Sequence, residues 1–238
     1  MNHGKNQHGF TLIELMLAMT FISMLLLAIA LTTIQISTIY TRGITLREVD
    51  QAGRSLSDEL QRSIASSVPF DATPKSATAP NAKYVERVGS GGRLCLGRYS
   101  YAWNFGKALR GETPIYNTYS DGSQVHFAKV DDPGAGLCSN DTSQVIDKTR
   151  SRDLLTSGDR DLAIHQFEIS QTVKDDEIGQ ALYAITITIG TNDREQLTTS
   201  DTSCRPPSEG EGNEAYCSVN QFDIIARAGN ESGRGGGQ

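Results

Sequence analysis

Phe10 to Leu31 reads FTLIELMLAMTFISMLLLAIAL, an apolar run without proline or glycine whose single charge is Glu14. About 20 such residues, rising about 1.5 Å each in a helix, cross the hydrocarbon core of a bilayer. Later apolar stretches are short and interrupted. The chain must therefore place one oily segment near its start in lipid or against other chains, and fold the remainder separately. At 238 residues that remainder is large enough for a sizeable domain. A mean hydropathy of −0.35 excludes a polytopic membrane protein. A hydrophobic content of 37% excludes a wholly disordered acidic chain.

Charge is as uneven as hydrophobicity. The formal net charge is −6. Before residue 68, Lys5, Arg42, Arg47, Arg54 and Arg62 balance Glu14, Glu48, Asp50, Asp58 and Glu59. The acidic excess belongs to the chain after residue 67, and such a surface repels phosphate backbones, so no nucleic acid is expected as a partner. Arg93, Arg98, Lys107 and Arg110 lie close in sequence, but scattered surface charges are the favoured reading over a basic patch.

Three readings of the first thirty residues compete. A secretory signal would use Lys5 and the small-x-small site Ala28-Ile29-Ala30, but the apolar stretch is long for an h-region and holds Glu14. An ordinary single-span anchor tolerates one acid near its end. Neither explains the polar leader MNHGKNQHG, the abrupt apolar start at Phe10, or a lone acid five residues after Gly9. Gly9-Phe10-Thr11-Leu12-Ile13-Glu14-Leu15 resembles the processing site of type IV prepilins and type II secretion pseudopilins. The resemblance implies that a prepilin peptidase cuts after Gly9 and that Phe10 becomes an N-methylated amino terminus. It makes Glu14 the assembly carboxylate. The implied partners are other pilin or pseudopilin subunits, the peptidase, the inner-membrane assembly machinery and the membrane itself.

Physical chemistry gives Glu14 a reason to be there. A carboxylate in hydrocarbon costs about 2.5–3.5 kcal/mol on insertion scales. Packing such helices side by side brings each new amino terminus into the same apolar core. An ammonium and a carboxylate can pair there, and either one alone is penalised. Glu14 is therefore expected to meet the Phe10 ammonium of a neighbouring subunit and to set the axial register.

Helical spacing continues beyond the apolar run. Leu46, Val49, Gly53, Leu56, Leu60 and Ile64 recur at three- and four-residue steps. Asp50–Arg54 and Asp58–Arg62 are i,i+4 pairs in the favourable order. Gly43 is a weak point, costing about 1 kcal/mol relative to alanine. Pro69 ends the pattern, so one helix over 10–67 would be on the order of 87 Å long. No proline precedes Pro69. The resemblance then favours a minor subunit, similar to the W/J type, since major pilins commonly carry a helix-interior proline.

The remainder reads as antiparallel β-structure. Residues 68–92 read as an extended connector. Strands are expected at Arg93–Phe105, Gln124–Val130, Asp161–Gln171, Gln180–Gly190 and Ser218–Ala228. A hairpin turn is expected over Lys174–Gly179. Thr186–Ile189, TITI, is aggregation-prone if exposed and is expected in a central strand. The Gly-rich end, 229–238, reads as a frayed tail.

Four cysteines allow three pairings. Cys204 and Cys217 flank the polar loop RPPSEGEGNEAY, where a covalent clip is reasonable; Cys95 and Cys138 would then pair. Disulfides require an oxidising compartment, so the head is expected outside the cytoplasm. A loop bounded by two late cysteines is also what the resemblance implies.

An enzyme is not expected. G-x-S-x-G, H-E-x-x-H and P-loop motifs are missing from the sequence. His165 is in phase with Phe167 and Ile169 and reads as a packed or sheet-edge histidine, and His126 reads the same way. Asp175-Asp176-Glu177 and Asp159/Asp161 lack EF-hand spacing and read as solvated turns. Catalytic, cofactor and metal residues are accordingly expected to be none.

The expected fold is α+β: a long N-terminal α-helix, half transmembrane and half amphipathic, packed on an antiparallel β-sheet head in the manner of a pilin. The expected organisation is a leader over 1–9, a helix over 10–67 with its transmembrane and assembly part at 10–31, a β-rich head over 68–228 and a tail over 229–238. The precursor is expected to be single-pass in the cytoplasmic membrane, and the product to join an extracytoplasmic filament. A pseudopilin of a secretion system and an anchored adhesion module that never polymerises are the alternatives.

Overall fold

The computed structural model describes residues 11–75, 82–140, 142–155, 160–175, 177, 179–206 and 215–229. The chain divides into two units, Met1–Thr41 and Arg42–Gln238. A single helix, α1 (Leu12–Ala65), contributes to both.

In the first unit every residue from Thr11 to Tyr40 is exposed in the isolated chain. The threonine hydroxyls and that of Ser23 are satisfied within the helix. Ser23 Oγ donates to Met19 O at 2.7 Å, Thr32 Oγ1 to Ala28 O at 2.7 Å and Thr38 Oγ1 to Ile34 O at 3.0 Å. Such back-bonding lets a Ser- and Thr-bearing helix face lipid without orphaned donors.

In the second unit the helix buries Thr45, Val49, Gly53, Leu56, Leu60, Ser63 and Ile64. This is the expected stripe with one correction. Leu46 is 49% exposed, and Thr45 takes the inner position, its Oγ1 donating to Ala215 O at 3.1 Å. Gly43 does not interrupt the helix; a Cβ there would meet nothing within 4 Å. The expected i,i+4 ion pairs do not form among the described residues. Asp50 instead accepts from Asn220 Nδ2 at 2.8 Å. The helix ends as Ser67 N and Oγ both donate to Ile64 O, before the residue that precedes Pro69.

The strands are β1 (Tyr84–Arg87), β2 (Gly91–Cys95), β3 (Tyr99–Asn104), β4 (Asn117–Tyr119), β5 (Phe127–Asp131), β6 (Gln144–Ile146), β7 (Ser151–Asp153), β8 (Leu162–Asp175), β9 (Gln180–Thr191) and β10 (Val219–Ala228). A single-turn helix, α2 (Gly106–Leu109), follows β3. Among the described residues they form a five-stranded antiparallel sheet, β1-β2-β3-β5-β7, and a three-stranded antiparallel sheet, β10-β9-β8. A bridge from Phe105 to Ile164 joins them.

Several expectations need correction. The stretch 93–105 is a hairpin and not one strand: Gly97, at φ +111°, turns the chain, so Leu94 pairs with Tyr101 and both are buried. The connector 68–92 contains β1 and the start of β2, because Tyr84 and Val85 are buried apolar residues. β4 and β6 form a parallel pair, and the Phe105–Ile164 bridge is parallel too, whereas the other ladders among the described strands are antiparallel. The last two strands lie where expected, whereas β8 continues past Gln171 to Asp175, so Lys174 and Asp175 of the expected turn pair with Ala181 and Gln180; the TITI segment occupies β9, the central strand of its sheet.

The core sits between the sheets and α1. Trp103 is stacked with Phe127 at 5.6 Å between ring centroids, and Phe167 from the other sheet lies at 4.2 Å. Leu56, Leu60 and Ile64 of α1 belong to the same cluster as Ile185, Ile187 and Ile224. The α1 surface is also tied by polar bonds: Glu59 Oε1 accepts from Lys129 Nζ at 2.6 Å and from Tyr101 Oη at 2.7 Å. Burial opposes the Glu59 charge, but these partners outweigh it and hold the carboxyl below its usual range.

Candidate functional site

Glu14 lies in the first turn of α1. Thr11 N donates to Glu14 Oε2 at 3.0 Å, and Thr11 Oγ1 donates to the same oxygen at 2.7 Å. Glu14 N faces Thr11 Oγ1 at 3.4 Å, and Leu15 N donates to Thr11 O at 3.2 Å. Thr11-Leu12-Ile13-Glu14 is therefore a capping box, in which the acid at the third helical position satisfies a donor that the helix leaves open. The S/T-x-x-E pattern was present in the sequence and would have disclosed this second role for Glu14. Only Oε2 is used; Oε1 has no hydrogen-bond partner among the described residues. Placing a carboxylate at a helix N-terminus also sets it against the positive end of the helix dipole, which favours it. Gly9 and Phe10 lie outside the described residues.

The cysteines are all paired. Cys95, at the end of β2, is bonded to Cys138, with Cα atoms 6.2 Å apart. Cys204 is bonded to Cys217, with Cα atoms 5.9 Å apart. Next to the first bridge, the buried Arg93 donates through Nη1 to Leu137 O at 2.8 Å and through Nη2 to Thr142 O at 2.6 Å. Its guanidinium lies 4.2 Å from the centroid of the Tyr116 ring. Arg93 and the disulfide together fix the segment after residue 136.

The four basic residues clustered in sequence are dispersed. Arg93 is buried as described, and Arg98 is exposed, 3.5 Å from Asp131. Lys107 Nζ donates to Thr199 O at 3.2 Å. Arg110 is nearly buried and pairs with Asp201 at 2.6 Å and Glu112 at 2.7 Å. No basic surface patch forms from them.

The histidines are structural neighbours of these ion pairs. His126 Nε2 lies 3.1 Å from Asp161 Oδ1. Burial opposes its protonation, but Asp161 and Asp153 outweigh burial and raise its pKa above 6.5. His165 is fully buried, and its Nε2 lies 3.1 Å from Thr191 O. Burial pushes its pKa down despite Asp201. Asp159 and Asp176, and with them part of each acidic cluster read in the sequence, lie outside the described residues. Among the described residues no group of three or more His, Cys, Asp or Glu side chains could hold a metal ion.

No curated protein and no solved structure matches the chain significantly. A family profile described as "Prokaryotic N-terminal methylation motif" matches residues 4–34. That span holds most of the polar stretch before Phe10, with Gly9, Phe10 itself, the Thr11–Glu14 capping box and the apolar part of α1, which is long and apolar enough to cross a membrane. Over residues 4–34, then, the chain carries the prokaryotic N-terminal methylation motif.

Proposed function

We propose that the chain is a filament subunit, a minor pilin of a type IV pilus. It is made as a single-pass precursor of the cytoplasmic membrane, with residues 1–9 as a cytoplasmic leader. A prepilin peptidase cuts after Gly9, and Phe10 is N-methylated. The inner-membrane assembly machinery then packs residues 10–31 against the same segment of other pilin subunits. Residues 68–228 form an extracytoplasmic head carried by the helix over 10–67, and 229–238 form a tail. The two disulfides support the extracytoplasmic placement, because such bonds persist in oxidising compartments. The absence of proline from α1 supports a minor subunit.

The observation that carries this reading is a lone acid in the first turn of a lipid-length helix. In the mature chain the Phe10 ammonium begins one residue before the capping box. Glu14 keeps Oε2 on Thr11 and offers Oε1 to the ammonium of a neighbour. Pairing in an apolar medium fixes axial register, because a shift of one subunit leaves both charges unpaired. Glu14→Leu is expected to insert and to be cut normally, yet to vanish from sheared surface filaments. Glu14→Leu subunits recovered in filaments at wild-type levels would remove this role. A wild-type chain that stays with the membrane after shearing would identify an anchored module.

A further inference from the structure

A cleft of about 590 Å³ runs beside β8, lined by Glu86 of β1, Lys107 of α2, and Gln166, Glu168 and Ser170 of β8, with Thr186 behind them. β8 is an outer strand of its sheet. Beyond the Phe105–Ile164 bridge, no main-chain pairing covers its outer edge among the described residues. The ladder with β9 is irregular at Ile164/Gln166 and at Gln171/Val173. Between these bulges lies a regular edge, Gln166–Gln171, and most of it lines the cleft. Bulges blunt an edge against random pairing, so an unblunted stretch inside a cleft is an opening for a strand of limited length.

The cleft presents acceptors. Glu86 is half-buried, and its one partner among the described residues is the Tyr84 hydroxyl, which donates to it. Among the described residues the Glu168 carboxylate accepts from Gln166 Nε2 alone, at 2.7 Å. Neither carboxylate has an ion pair among the described residues, and burial together with the nearby Glu168 charge pushes the Glu86 pKa up. Lys107 is turned to Thr199 O and does not neutralise them. The His165 side chain lies beneath the cleft floor, its Nε2 engaged with Thr191 O and its Nδ1 4.0 Å from Asp201 Oδ2, so it is out of reach of a docked ligand. Two carboxylates without a paired cation call for a ligand rich in donors and positive in charge.

We propose that this cleft docks an extended segment of another protein chain that bears a lysine or arginine between apolar residues. The segment adds to the Gln166–Gln171 edge by main-chain hydrogen bonds, and its cation is held by Glu86 and Glu168. This goes beyond filament assembly and holds equally for a chain that never polymerises.

The test uses the full chain in detergent micelles and fluorescence anisotropy of a labelled, end-blocked hexapeptide. The peptide alternates valine and threonine around one central lysine; a second peptide has glutamate in its place. The lysine peptide is expected to bind at least about tenfold tighter than the glutamate peptide. The double variant Glu86→Gln, Glu168→Gln should lose about tenfold of that affinity with an unchanged unfolding midpoint. On the unaltered protein, N-methylation of alternate peptide amides should abolish binding, so a misfolded variant leaves the proposal open to refutation. Equal affinity for both peptides, or binding indifferent to N-methylation, would overturn it. Displacement of the lysine peptide by calcium chloride at matched ionic strength would also overturn it, by assigning the carboxylates to a cation.

Discussion

At the scale of single residues, the same side-chain type does opposite things in different settings. His126 faces Asp161 and Asp153 and has a raised pKa; His165 is buried away from solvent and has a lowered one. The signs come from proton linkage. The stabilisation from His126 is fully present below pH 6.5 and is lost as pH rises through its raised folded value. His165 is the reverse: its neutral form is the folded one, so stability is lost as pH falls below 6.5 towards its depressed folded value. Because the Asp161 side chain is 63% exposed, the His126 contribution is on the order of 1 kcal/mol or less. Thermal unfolding of the detergent-solubilised chain between pH 6.5 and 8 is expected to show a declining midpoint that His126→Gln flattens. A decline of equal slope in that variant would show that another group titrates. Glu14 was legible in part. Its isolation in an apolar run singles it out without coordinates, whereas its bond to Thr11 is a local capping interaction that hydropathy does not reveal.

At the scale of elements, α1 was legible because burial follows its 3.6-residue period, and the tightest point of that stripe is Gly53. A Cβ built there would lie 2.1 Å from the Phe222 ring, which occupies the space a side chain would need. Gly53→Ala is expected to gain helix propensity of about 1 kcal/mol. It should lose more, about 1–3 kcal/mol, by displacing Phe222 from the α1–β10 contact. The net is a lowered unfolding midpoint; a raised one would mean that the ring moves aside without cost. β8, β9 and β10 were equally legible, since alternation such as Tyr183, Ile185, Ile187 against Ala184 and Thr186 survives in the burial of β9, which becomes continuous only from Ile187 onward. The first sheet was not, for a physical reason. β2 and β3 are buried at nearly every position, so they carry no alternation to read, and the Gly97 turn joins two runs that look like one. β4 and β6 are three residues each, too short for any periodic signal.

At the scale of the whole molecule, a head with much loop is closed by two covalent bridges spanning 43 and 13 positions of sequence. On the chain-entropy model the longer closure restricts the unfolded chain more, by about 1 kcal/mol. Replacing Cys95 and Cys138 with serine should therefore lower the unfolding midpoint further than replacing Cys204 and Cys217. The opposite order would place the stabilisation in native packing around the shorter loop. The pairing itself was within reach of sequence because one loop is too polar to build a core. The cleft beside β8 was not, since it arises where residues from β1, α2 and β8, distant in sequence, come together. The central claim concerns the other end of the chain: the motif over residues 4–34 is processed. Intact mass and N-terminal sequencing of the protein recovered from its native membrane test it most directly. The account predicts a chain that begins with N-methylated phenylalanine at position 10; a chain that still carries residues 1–9, or that begins after Ala30, would contradict it.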